Sequence, residues 1–125
     1  MKLKAEFIQS ELGNWVARNT AVIPVSSDIF EVATTEIDSY GDTIYCFVKQ
    51  VDNLYQISDE GRMLFKLDPG ASDQELYETA EAIAIGAGFD YDEKHCEISV
   101  TTDQDNLAQA IVKLSQLQLA ISYLG

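Results

Sequence analysis

Residues Thr43-Ile-Tyr-Cys-Phe-Val-Lys49 decide the fold. Ile44, Cys46 and Val48 recur at every second position, the spacing that puts side chains on one face of a β-strand. Working outward, Ser39-Tyr40-Gly41-Asp42 precedes this run and Asp52-Asn53 follows it, both rich in turn-forming residues. Beyond them lie two further extended runs, Ile29 to Ile37 and Leu54 to Ser58. Strands joined by connections this short pair as antiparallel hairpins, so residues 29–58 predict a meander. Val22-Ile23-Pro24-Val25 adds a short strand that its proline, lacking an N–H, confines to a sheet edge.

Helical patterns flank this core. Ile8, Leu12, Trp15 and Val16 are spaced for one face of a helix over residues 3–18. Ser58-Asp59-Glu60-Gly61 turns the chain into the short segment Arg62 to Leu67, and Asp68-Pro69-Gly70 breaks it. Ser72-x-x-Glu75 has the form of a capping box opening a second helix, with Leu76, Ala80, Ile83 and Ala87 on one side and Gly86 and Gly88 at its end. Glu97 to Thr101 reads as a fourth main strand. Asp103 and Asp105 then open the longest helix, over residues 104–124, where carboxylates complement the free amide groups. Nothing repeats, and no linker divides the chain. The expectation is one α+β domain over residues 1–125. Its antiparallel sheet, a meander plus a later strand, is packed by an N-terminal, a middle and a long C-terminal helix. Ile8, Leu12, Trp15, Cys46, Val48, Ile98, Val100, Ile111, Leu114 and Ile121 are its expected core.

Composition narrows the function. The chain has 125 residues, 46% of them apolar, which is enough for a core without a stabilising metal or disulfide framework. Its 21 acids against 8 bases give a net charge of −13. Direct binding to nucleic acid, which requires a basic surface, is therefore not expected, and neither is attachment to an anionic membrane. No apolar run reaches a membrane span, and polar residues interrupt any secretory leader. Cys46 and Cys96, both in alternating apolar runs, read as buried thiols of a cytoplasmic protein.

Catalytic patterns are weak. A metal-dependent nuclease would place an acid two residues before a strand lysine, but Phe47-Val48-Lys49 has phenylalanine there. Asp103-x-Asp105-Asn106 begins like a calcium loop and lacks its later ligands. His95 and Cys96 are strand neighbours, so their side chains diverge rather than forming a nucleophile–base pair. The expectation is a non-enzyme with no cofactor and no bound metal.

The uneven charge is more informative. Residues 1–18 carry a net +1, residues 28–60 eight acids against Lys49, and residues 67–105 eleven acids against Lys94. Arg62 and Lys66 lie between the two acidic blocks. Glu75, Glu78 and Glu81 recur every third residue beside the apolar face of the second helix. Spread evenly, the charge falls short of DNA. A chain of this mass exposes roughly 6,700 Å², about 500 Å² per net charge, whereas duplex DNA has on the order of 100 Å² per charge. Imitation of a nucleic acid would require the blocks to share a face.

The middle of the chain resembles domain-of-unknown-function family 1828. Glu31 to Asp38, then Tyr40-Gly-Asp42-x-Ile44-Tyr45-x-Phe47-Val48, then Tyr55-Gln-Ile-Ser-Asp-Glu-Gly61 match its three ordered motifs, and Glu97 to Leu124 its terminal strand and helix. The resemblance covers roughly residues 22–124. Thr35 stands where proline is usual, and Ser58-Asp59-Glu60-Gly61 replaces a threonine–aspartate–aspartate–glycine turn. It implies an accessory protein of bacteria, prophages or other mobile elements, and it carries over no functional residues.

Two functions compete on these grounds. In the first, favoured by the blockwise charge, an acidic phage-type inhibitor docks a basic surface of a nucleic-acid-handling host defence protein, such as a CRISPR effector or restriction enzyme. The expected contact residues are Asp38, Asp42, Asp59, Glu60, Glu75, Glu78, Glu81, Asp90, Asp92 and Glu93. In the second, the chain is an interaction or homo-oligomeric assembly module, dimerising through a sheet edge or its last helix, whose charge serves solubility alone.

Overall fold

The alternation around Cys46 is realised as a central strand, Thr43–Val51, on which Ile44, Cys46 and Val48 are buried. In the computed structural model, which describes residues 2–125, the elements run α1 (Ala5–Arg18), β1 (Ala21–Pro24), β2 (Ile29–Ile37), β3 (Thr43–Val51), β4 (Leu54–Ser58), α2 (Arg62–Leu67), α3 (Gln74–Gly86), β5 (Asp90–Asp92), β6 (Glu97–Thr102) and α4 (Leu107–Ser122). The six strands form one sheet of order β1-β2-β3-β4-β6-β5, every neighbouring pair antiparallel. The protein is α+β, as the sequence indicates. Pro24 lies on the edge strand, where its missing N–H costs no ladder bond.

Register explains which face is apolar. Val32 pairs with Cys46, Val48 with Ile57, and Ile57 with Val100, so these residues share one side of the sheet. Against that side α4 lays Leu114, Leu117 and Ile121, α2 Met63 and Leu64, and α3 Leu76, Ala80 and Ala84, all in one cluster. Polar groups on the inner face of α4 are satisfied locally or by the sheet. The Gln118 amide donates to the Tyr45 carbonyl at 3.0 Å, and Ser115 and Ser122 donate to carbonyls three residues back. The Ser39 hydroxyl donates to the Ser122 carbonyl at 2.7 Å, fastening the β2–β3 turn to the end of α4. Phe47 is buried on the opposite face, beneath the Arg62 guanidinium at 4.5 Å.

Of the ten expected core residues, Cys46, Val48, Ile98, Leu114 and Ile121 are buried, and Val100 and Ile111 are half-buried. Ile8, Leu12 and Trp15 are not: they stand 44%, 63% and 50% exposed. Helical periodicity marks the apolar face of α1 but says nothing about what covers it, and every residue of α1 is exposed. The cap of α3 also differs. Asp73, one residue past Ser72, caps the helix by accepting from the Leu76 N–H at 3.1 Å, while Asp68 accepts from the Ser72 N–H. Gly88, at φ +88°, ends α3 as expected of a left-handed residue, whereas Gly86 remains inside the helix. The strand Asp90–Asp92 is an element that its acidic composition conceals. Of the two thiols, Cys46 is buried and Cys96 half-buried. No helix among the described residues is long and apolar enough to cross a membrane.

Candidate functional site

The ten carboxylates proposed as partner contacts fall into three environments. Two of them, Asp38 and Asp59, are buried and bound within the protein, so neither is free to face a partner. Asp38 accepts from the backbone N–H groups of Tyr40 and Asp42 and from the Lys66 ammonium at 2.6 Å. Lys66 also pairs with Asp42 and lies 5.1 Å from the Tyr40 ring. Arg62 pairs with Glu31 at 3.5 Å. Both bases between the acidic blocks thus neutralise acids of this chain.

Burial alone would raise the Asp38 carboxyl, but Lys66 and the two N–H groups outweigh it and hold the group below its ordinary value. The same carboxylates hold Lys66 above its ordinary value despite its desolvation. A lowered acid contributes stability that is lost as pH falls through its folded-state value, and a raised lysine contributes stability that is lost as pH rises through its own. The pair therefore stabilises the fold between the carboxylate and lysine ranges. Lys66→Met is expected to destabilise the protein by about 1–3 kcal/mol at neutral pH. In urea unfolding, the gap from the unsubstituted protein should close below the carboxylate range; a gap constant with pH would contradict the pairing.

Asp59 sits in the tight turn between β4 and α2, whose Glu60 and Gly61 are both left-handed at φ 54° and 71°. One of its oxygens accepts from the N–H groups of Gly61 at 2.8 Å and Ile98 at 3.0 Å, and the other has no partner among the described residues. Burial pushes its carboxyl up to about 6 against the opposing pull of those two N–H groups, and the nearby Glu97 charge adds to the rise. Its place is structural: it clamps β4 to β6.

Glu78, Glu81 and Glu93 are brought together. They line a cleft of about 290 Å³ between α3 and the β5–β6 hairpin, with Tyr77, Tyr91 and Cys96. The hairpin shapes this wall. Asp92 accepts from the Lys94 N–H at 2.9 Å and pairs with the His95 ring at 2.8 Å, while Cys96 takes a left-handed φ of 53°. His95 is exposed and Cys96 faces the cleft, but both lie in the β5–β6 turn and not in a strand, so strand alternation does not set their directions. Burial, then the Asp68 carboxylate, pushes the Tyr77 phenol up to about 12, and burial with Cys96 pushes Tyr91 up as well. At neutral pH the cleft therefore offers carboxylate acceptors and uncharged aromatic faces, the chemistry that receives a lysine or arginine side chain.

The remaining acids lie outside it. Glu60 and Glu75 are exposed at the start of α2 and in the first turn of α3. Asp90 and Asp92 point to the opposite sheet face from Tyr91, since side chains alternate along β5. Asp42 lies by the β2–β3 turn in a separate cavity of about 190 Å³ with Lys66 and Gln118. Tyr77 and Tyr91 are not among the residues that the sequence singles out, and Cys96 stands out there only as a buried thiol beside His95. The only sequence signal for the tyrosines is that Tyr77 sits one residue before Glu78 on the helix that carries the acidic row. Among the described residues, no group of three or more His, Cys, Asp or Glu side chains is placed to hold a metal ion.

Residues 34–121 match the model described as Domain of unknown function DUF1828, and the chain belongs to that family. The match leaves α1, β1 and the first five residues of β2 outside it. No curated protein and no solved structure matches the chain.

Proposed function

We propose that the protein is a non-catalytic interaction module that receives a basic protein surface on α3 and in the cleft beside it. The observation that carries this reading is the convergence of Glu78, Glu81 and Glu93 with two tyrosines on one concave surface. Like charges three residues apart cost a helix a few tenths of a kcal/mol per pair, so a partner cation there relieves repulsion as well as making contacts. Steering by the −13 body would speed the encounter and make it salt-sensitive.

In its finer form, the proposal is a cytoplasmic, phage-type inhibitor whose carboxylates occupy the nucleic-acid channel of a host defence protein. The acidic row supports it locally. Glu75, Glu78 and Glu81 advance about 4.5 Å along the helix axis per step, comparable to the 3.4 Å advance per phosphate on one DNA strand.

The test is recovery of partners from a bacterial lysate at low and high salt. With the triple variant Glu78→Lys, Glu81→Lys, Glu93→Lys, recovery of a basic partner is expected to fall at least about tenfold. Competitor DNA should displace that partner if its channel is the docking surface. Recovery unchanged by salt and by the triple variant would overturn the proposal. The other reading, a self-assembly module, is favoured by a separate feature, the exposed apolar face of α1.

A further inference from the structure

We propose that α1 docks on a second copy of this chain, each copy's helix covering the apolar groove at the root of the other's. The stripe Ile8, Leu12, Trp15 and Val16 occupies one face of α1, and all four side chains are 44–63% exposed. A helix of 14 residues is marginal in water on its own, and such a face normally exists to be buried.

The groove lies between the β1–β2 strands and the first half of α4. It has a volume of about 230 Å³ and is lined by Val22 and Val32 of the sheet, Ile111 and Val112 of α4, and Val16 and Thr20. The chain's own α1 thus forms one wall with its C-terminal end, while Ile8 and Leu12 lie farther along the helix toward its start. A second α1 running antiparallel beside the first would lay those residues across the groove. A twofold axis makes the exchange reciprocal, so both stripes and both grooves are covered at once.

Three observations point to a second copy as the occupant. The first is area. The chain exposes 8097 Å², against roughly 6,700 Å² for a compact monomer of this mass. Two copies that each hid the excess of about 1,400 Å² would bury about 2,800 Å² in total, within the range of stable homodimers. The second is charge. Residues 1–20 carry a net +1 and the remaining residues −14, so α1 is a part of one copy that the acidic body of another does not repel. The third is position. α1 contributes no residue to the core cluster, and its C-terminal end walls the apolar groove, so one twofold contact can cover both the stripe and the groove.

Trp15 is the only tryptophan and lies in the stripe, so it reports the contact directly. On raising the 125-residue chain from about 1 to 100 µM, sedimentation equilibrium is expected to show a species of twice 13.9 kDa, with Trp15 emission shifting to the blue in step. Leu12→Lys on the helix and Val112→Lys at the groove should each raise the dissociation constant at least 100-fold. Both positions are exposed, so the body should unfold in urea as before. The triple variant of the acidic cleft should still dimerise, which separates this proposal from the one for α3. A monomer at all concentrations would overturn it, whether or not α1 then binds lipid vesicles, and so would a dimer indifferent to Leu12→Lys.

Discussion

Asp59→Ala is expected to destabilise the protein by about 2–5 kcal/mol, because it strips two buried N–H groups of their acceptor. Those groups belong to Gly61 in the turn and to Ile98 on β6, 39 residues away. Asp59→Asn keeps an oxygen for both and removes only the charge, so the pair of variants separates hydrogen bonding from ionisation. Because burial raises the folded-state carboxyl to about 6 from an ordinary 3.8, the ionised form is the strained one. Its native stability is full below the unfolded value and declines as pH rises toward 6, by about 3 kcal/mol for a shift of this size. Urea unfolding from pH 4 to 7.5 should show Asp59→Asn gaining on the unsubstituted protein as pH rises, with the difference levelling above pH 6. A difference independent of pH would mean that the buried carboxyl does not titrate in this range.

Gly61→Ala carries an effect of similar size by another route. A Cβ at this position would sit 2.5 Å from the His95 carbonyl oxygen, a backbone atom that moves only with the β5–β6 hairpin. The residue also holds φ +71°, where an L side chain costs roughly 1–2 kcal/mol before any clash. We expect a total loss of about 3 kcal/mol or more. Gly41→Ala is the matched control: φ is +85°, but its Cβ would meet open space, so only the conformational cost remains. Thermal unfolding that ranks the two variants equally would show that the close approach to His95 carries no weight.

What the sequence makes legible follows from the range of the forces involved. The alternation of Ile44, Cys46 and Val48 and the brevity of Ser39–Asp42 and Asp52–Asn53 act locally, so the meander can be read from them. The fate of the α1 stripe cannot, because Ile8, Leu12 and Trp15 have the same spacing whether a core or another molecule covers them. Asp38 and Asp59 look like surface acids because they stand in turns. Their burial depends on Lys66 and on the Ile98 N–H, partners 28 and 39 residues distant. The acidic row of α3 is visible as a three-residue period. Its meeting with Glu93 and Tyr91 depends on the short β5–β6 hairpin, whose acidic first strand has no sequence signature.

The strand order has a kinetic consequence. β1 to β4 pair with their nearest neighbours in sequence, but β4 must then find β6 across the intervening α2, α3 and β5. The two-residue connection between β3 and β4 closes at little entropic cost, while a loop of about 40 residues costs about 3 kcal/mol to close before any contact rewards it. The meander can thus assemble as an early unit, with the β4–β6 seam as the late, rate-limiting event. The Asp59 clamp lies on that seam, so substitutions there should weigh on the folding transition state in proportion to how far the seam has formed when the barrier is crossed.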